Sequence, residues 1–205
     1  MMPSSTDQKF ATLRLFAKYP VPGYAKTRLI PALGETGAAA LHRTLAHRTC
    51  ATLIASGQPV VAHYAGEEEM AFREWLGDTP DYAEQPEGDL TNRLLAALGT
   101  GPQIFFGADT PDLTVEIVQK AVVALETHQV VIGPAEDGGY YLIGMVRPLP
   151  DLFRDMPWST DKVLPTTLAR LEAMAIAPVM LETLADCDRP EDLTRWPALV
   201  ESLPP

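Results

Sequence analysis

Thr12-Leu13-Arg14-Leu15-Phe16-Ala17, running into Lys18-Tyr19-Pro20-Val21-Pro22-Gly23-Tyr24-Ala25-Lys26-Thr27-Arg28-Leu29, decides the fold. The first six residues read as a short buried strand, because apolar side chains dominate and no breaker interrupts them. The next six cannot continue as helix, since two prolines and a glycine remove donors and fix the backbone. An Ala- and Leu-rich helical pattern then spans about Gly34 to Ala55. A strand, a stiff loop and a long helix form the opening unit of an open α/β sheet, with the loop at the strand's carboxyl end.

Outward from that unit the alternation persists. Pro59 to Ala65 reads as a second strand, Glu67 to Leu76 as a helix with acids in its first turn, and Asp81 to Glu84 as a short strand. Leu90 to Leu98 is helical, Gln103 to Gly107 a strand, and Thr114 to Thr127 a helix with a threonine cap. Gln129 to Gly133 and Tyr140 to Val146 are strands joined by Pro134-Ala135-Glu136-Asp137-Gly138-Gly139, a hairpin signal or a site loop. Residues 161–175 are helical, Pro178 to Leu181 forms a strand, and Glu191 to Val200 a helix interrupted by Pro197. The expectation is one α/β domain over residues 1–205, a parallel sheet with covering helices, and disorder in residues 1–9.

The formal net charge of −11 disfavours nucleic acid as a partner, because a chain that neutralises many phosphates needs a basic face. That average hides a split. Residues 1–64 hold 7 Lys/Arg against 2 Asp/Glu, whereas residues 65–205 hold 9 against 25. Two cysteines give neither a zinc spacing nor a disulfide framework, and no apolar run approaches a membrane span. A cytoplasmic protein without integral membrane association is expected; oligomeric state is left open.

Several segments could carry chemistry. The loop Lys18 to Leu29 has three cations and no acid, so Lys18, Lys26 and Arg28 can meet a diphosphate while Pro22 and Gly23 shape the turn. A solvated basic loop is the plainer reading. Asp109, just past a buried strand, would emerge at the same sheet edge and could hold Mg²⁺ or Mn²⁺, although Asp-Thr-Pro-Asp is also a good turn. Asp186 and Asp188 lie two apart and can share a metal, while Asp188 also suits a helix cap. Asp137 could orient or deprotonate an acceptor hydroxyl, with Gly138 and Gly139 allowing close backbone approach; tight-turn chemistry selects the same residues. Tyr140, Trp158, Ser159 and Thr160 supply an acceptor-side wall or, in the plainer reading, core and a helix cap. Asp89 reads as an N-cap, and Arg93 faces ligand or solvent. No Ser-His-Asp context and no paired zinc histidines occur.

In order, F-A-K-x-P-x-P-G-x-x-K-T-R-L, G-A-D-x-P-x-L, P-A-x-D-G-G-Y-Y-L-I-G, W-S-T and D-x-D-x-P-E-D-L resemble a bacterial family of nucleotide-diphospho-sugar transferase-like proteins, DUF2064. The resemblance covers about Leu13 to Leu193 and implies a GT-A-type, Rossmann-like α/β/α sandwich with a mixed, mostly parallel sheet, akin to phospholactate guanylyltransferase and molybdenum-cofactor nucleotidyltransferases. It implies nucleotide phosphates at Lys18, Lys26 and Arg28, and a metal on Asp109 with Asp186 or Asp188; Gln85 to Leu90, which holds Asp89, also resembles a family stretch, and Asp89 and Arg93 are taken with the nucleotide-binding residues. Three departures stand out: Thr91-Asn92 where many members carry Gly-Glu, Arg189 where Thr is common, and no literal D-x-D after the central strand. The leading expectation is a metal-dependent transfer of sugar from a nucleotide sugar to a small hydroxyl acceptor, with Asp137, Lys26 and Arg28 as the catalytic set. The alternatives are a nucleotidyltransferase releasing pyrophosphate from an NTP, and a nucleotide-binding protein without catalysis.

Overall fold

The computed structural model describes residues 10–203, so the expectation for residues 1–9 lies outside the described residues. Among these described residues seven strands, β1 (Thr12–Lys18), β2 (Val60–Ala65), β3 (Asp81–Glu84), β4 (Gln103–Phe106), β5 (Val130–Pro134), β6 (Tyr140–Met145) and β7 (Val179–Met180), form one sheet in the order β3-β2-β1-β4-β6-β5-β7. β6 runs antiparallel to both β4 and β5, and the other pairs are parallel. The sheet is therefore mixed and mostly parallel. Asp137-Gly138-Gly139 makes both the hairpin and a site loop: the turn returns β6 against β5, with a register shift at Gly133/Pro134.

Among the described residues six α-helices cover the sheet: α1 (Ile30–Ala55), α2 (Glu69–Leu76), α3 (Leu90–Ala96), α4 (Val115–Thr127), α5 (Val163–Ala173) and α6 (Pro197–Glu201). α1 is kinked at Gly34, whose φ of 69° and ψ of 171° separate a first turn from the helix expected to begin there. The terminal helical stretch is likewise split, into a 3₁₀ segment Pro190–Arg195 and α6. Pro197 has no N–H to continue the earlier segment, and it starts the later one.

Strand alternation distributes the core between the two faces. Leu13, Leu15 and Ala17 of β1 and Ile104 and Phe106 of β4 pack with Leu53 of α1, Phe72 of α2 and Val118 of α4. Phe105 of β4 and Val130 and Ile132 of β5 face the other way, against Leu94 of α3, Phe153 of the segment that precedes α5, and Leu171 of α5. Three layers result. On the second face, near the sheet's amino edge, Arg14 Nε donates to Gln103 Oε1 at 2.9 Å and Arg14 Nη1 lies 3.1 Å from His63 Nε2. Gln103 is fully buried and exchanges two further bonds with the Gly99 backbone, so this polar seam is satisfied across β2, β1 and β4.

The chain leaves β1 toward β2 on one side, while β4 lies on the other. The crevice at such a reversal opens at the carboxyl ends of the strands, which is where the loops after β1 and β4 emerge.

Candidate functional site

The loop after β1 is organised by its own backbone before it meets any other segment. Tyr24 and Ala25 donate to Val21 O at 3.1 Å, Gly23 takes φ 80°, and Lys26 itself takes φ 46°. A left-handed lysine is strained by roughly 1–3 kcal/mol and persists only when its surroundings hold it. Here the ammonium is held at three points: Asp109 Oδ1 at 2.6 Å, Asp188 Oδ1 at 2.7 Å and the Cys187 carbonyl at 2.8 Å. The Lys26 side chain is only 4% exposed. Burial by itself would lower its pKa, but the Asp109 and Asp188 carboxylates outweigh burial and hold it above the ordinary lysine value. The reciprocal effect lowers Asp109 against its own burial, mainly through Lys26, with a smaller contribution from His42.

The C-terminal acids divide their work. Asp188 turns to Lys26, and Arg28 Nη1 reaches its other oxygen at 4.0 Å. It is not a helix cap: Asp192 accepts from the Asp188 and Arg189 N–H groups instead. Asp186 accepts from Thr110 Oγ1 at 2.9 Å. Burial, with the fields of Asp137, Asp109 and Asp188, pushes its pKa up to about 7 against that hydrogen bond.

Among the described residues no group of three or more His, Cys, Asp or Glu side chains is arranged to hold a metal. What the structure offers is two carboxylates, Asp109 and Asp188, converging on one cation position held by the Lys26 ammonium. That donor set fits Mg²⁺ or Mn²⁺, which bind through one or two carboxylates and take their other ligands from water and substrate phosphates.

Beside this cluster opens a cavity of about 310 Å³. Asp109, Asp137, Asp186 and Asp188 contribute to its lining, and Phe16, Leu94, Tyr140 and Trp158 give it an apolar side. Trp158 is fixed by its Nε1–H donating to Thr91 Oγ1 at 2.9 Å and by an edge contact with Tyr140. Ser159, at φ 63°, and Thr160 continue the wall; Thr160 Oγ1 donates to Pro157 O and accepts from Lys162 N. A second pocket of about 530 Å³ shares Asp186 and Asp188 and is lined by Arg28, Arg189 and Arg195. Arg195 is paired with Glu136 at 2.8 Å.

The structure thus gathers Lys26, Asp109, Asp137, Asp186, Asp188, Gly139, Tyr140, Trp158, Ser159 and Thr160 at one crevice, with Arg28 in the adjoining pocket. Other expected residues go elsewhere. The Lys18 side chain lies along Gly66 at the end of β2, and Lys18 is absent from the lining of both pockets. Asp89 caps α3 through Asn92 N at 2.9 Å. Arg93 Nη1 donates to Gln85 Oε1 at 3.4 Å, and among the described residues its buried Nε finds no hydrogen-bond partner. Pro22 is exposed at the loop, and Gly23 sits beside the Glu35 carboxylate. Gly138 is used against the chain itself: a Cβ there would come within 2.6 Å of Asp161 Cα. Asp137 Oδ1 accepts from Gly139 N at 2.8 Å while the residue remains exposed.

Sequence reading missed Thr110, the Cys187 carbonyl, Arg195 of the second pocket and the apolar lining from Phe16 and Leu94. Thr110 had a local signal, since it follows Asp109 directly. The apolar residues had none, because a strand or helix pattern does not say which core side chains border a cavity.

Among solved structures, a candidate nucleotide-diphospho-sugar transferase from Desulfovibrio desulfuricans G20 is similar at TM-score 0.83 and 28% identity, covering 93% of this chain and 96% of that one. The inositol-1-phosphate CTP transferase from T. maritima follows at TM-score 0.59 and 13% identity, covering 94% and 96%. Rv0371c from Mycobacterium tuberculosis H37Rv, in complex with manganese, gives 0.52 and 16%, covering 95% and 100%. The last two likenesses speak for the fold. No curated protein matches. A family described as an uncharacterized protein conserved in bacteria matches residues 45–160, more than half of the chain. With that match over β2 to β6 and the D. desulfuricans structure covering nearly all of the fold, the chain belongs to the DUF2064 family.

Proposed function

We propose that this protein is a divalent-cation-dependent transferase that moves a sugar from a nucleotide-diphosphate sugar to a small hydroxyl acceptor. The observation that carries the reading is the convergence of Lys26, Asp109 and Asp188 at the carboxyl edge of the sheet, next to a cavity walled by Tyr140 and Trp158. Lys26 and Arg28 would bind the donor's diphosphate, as a point charge and a planar fork respectively. Asp109 and Asp188 would hold Mg²⁺ or Mn²⁺. When bound, the ion stabilises negative charge on the departing diphosphate. Asp137, exposed at the cavity, would take the acceptor hydroxyl proton as the new sugar–oxygen bond forms and the bond to the diphosphate breaks.

The second reading, nucleotidyl transfer to a phosphorylated acceptor, draws support from the likeness in fold to a CTP transferase. The cavity favours the first. Its lining has four aspartates and no Lys, Arg or His, which suits a neutral hydroxyl compound better than a phosphate.

A thermal-shift panel of UDP-, GDP- and dTDP-sugars with and without Mn²⁺ tests the proposal; a stabilised protein that needs both components is expected. Pyrophosphate release from an NTP and a phosphorylated acceptor would establish the second reading instead. An unchanged melting temperature throughout would leave a protein that has lost both activities, the outcome to which Arg189 and the missing D-x-D point.

A further inference from the structure

We propose that Lys26 is a resident counter-ion that a divalent cation must displace, so that metal entry and delivery of an ammonium to the phosphates are one event. The inference rests on the reading that Asp109 and Asp188 hold that cation. Its ground is positional. The ammonium lies 2.6 Å from an oxygen of one carboxylate and 2.7 Å from an oxygen of the other, which is where a shared ion would sit. Two cations cannot occupy that point, because the same space and the same oxygen lone pairs hold one of them at a time.

Two features make the occupant displaceable. Lys26 holds a left-handed backbone at φ 46°, a strained conformation that its three side-chain contacts help to hold, so loss of those contacts frees the residue to relax. The ammonium that leaves needs a new anion, and a nucleoside diphosphate provides one beside Arg28, whose side chain is 59% exposed and whose Nη1 is 4.0 Å from Asp188. Without the nucleotide, Lys26 competes with the metal; with it, the lysine has somewhere to go. The metal and the diphosphate then favour each other's binding, and by linkage each does so by the same factor.

The test uses Mn²⁺ alone, with binding read by electron paramagnetic resonance rather than turnover. Lys26→Met should tighten Mn²⁺ binding about tenfold or more in the absence of nucleotide, whereas Arg28→Met, the same charge change at an exposed position, should alter it far less. Equal effects of the two variants, or no gain in Lys26→Met, would overturn the displacement. A readout on the wild-type chain guards against misfolding of the variant: acetic anhydride labelling, mapped by mass spectrometry, should modify Lys26 slowly in the apo protein and faster when Mn²⁺ is added. Labelling unaffected by Mn²⁺ while Mn²⁺ binds would overturn the proposal and leave the metal site standing. Absence of Mn²⁺ binding in wild type and both variants would remove the metal reading, and this inference with it.

Discussion

The Lys26 ammonium and the Asp109 carboxylate meet at 2.6 Å, joining the loop after the first strand to the loop after the fourth. Neither residue is adjacent to the other in the chain; β1 and β4 are neighbours in the sheet, and their parallel pairing brings both carboxyl ends to one edge. The acid is what the site loses first if this relationship carries function. Asp109→Asn should leave the protein folded by circular dichroism, since Lys26 keeps Asp188 and the Cys187 carbonyl. The Mn²⁺-dependent part of nucleotide binding should vanish. Nucleotide and Mn²⁺ raising the melting point of the variant as far as that of wild type would refute the metal assignment.

Among the described residues the Asp137 side chain accepts one hydrogen bond, from Gly139 N, and an asparagine can accept the same bond. Asp137→Asn should therefore preserve stability and nucleotide affinity while lowering kcat by about 10²–10⁴, the range for loss of a general base. A kcat within a few-fold of wild type would confine Asp137 to turn formation.

His63 predicts a pH dependence of stability. Burial, helped by the neighbouring Arg14, lowers its pKa from 6.5 to about 4. The unfolded chain therefore binds a proton that the folded one excludes between those values. Stability from this group is complete above pH 6.5 and declines as the pH falls toward 4, by about 3 kcal/mol in total. Urea unfolding of wild type and His63→Gln, which keeps an acceptor for Arg14, should show the wild type losing stability relative to the variant across that window. A constant difference would place His63 in an environment that tolerates its charge.

Gly138 and Gly57 separate steric from backbone effects. Both have positive φ, 88° and 78°, but a Cβ at Gly138 meets the Asp161 backbone at 2.6 Å, whereas at Gly57 nothing among the described residues lies within 4 Å. Gly57→Ala should cost about 1–2 kcal/mol, the left-handed penalty alone. Gly138→Ala should cost more and also weaken ligand binding, because Ser159 and Thr160 of the cavity wall directly precede Asp161. Equal losses in chemical denaturation would mean that the wall yields.

The division between what the chain spells out and what the fold adds follows from the range of the forces. Strand alternation, the Pro-Gly loop, the cap at Thr114 and the break at Pro197 depend on neighbours in sequence, and all were legible. So was the presence of Asp109 at a strand's carboxyl end, since the end of a buried run is a local fact. Pairing depends on distant residues. Nothing in Asp186-Cys187-Asp188 tells which acid meets Lys26, and the structure assigns Asp188 to the lysine and Asp186 to Thr110. The three cations of the first loop look equivalent in sequence, but only Lys26 is drawn in, while Lys18 runs along Gly66 and Arg28 stays largely in solvent. The sequence by itself determined that a phosphate-type loop and a set of acids exist. The tertiary structure alone decided which charges are buried together, because that choice depends on sheet order and on desolvation, and both are set by contacts between segments far apart in the chain.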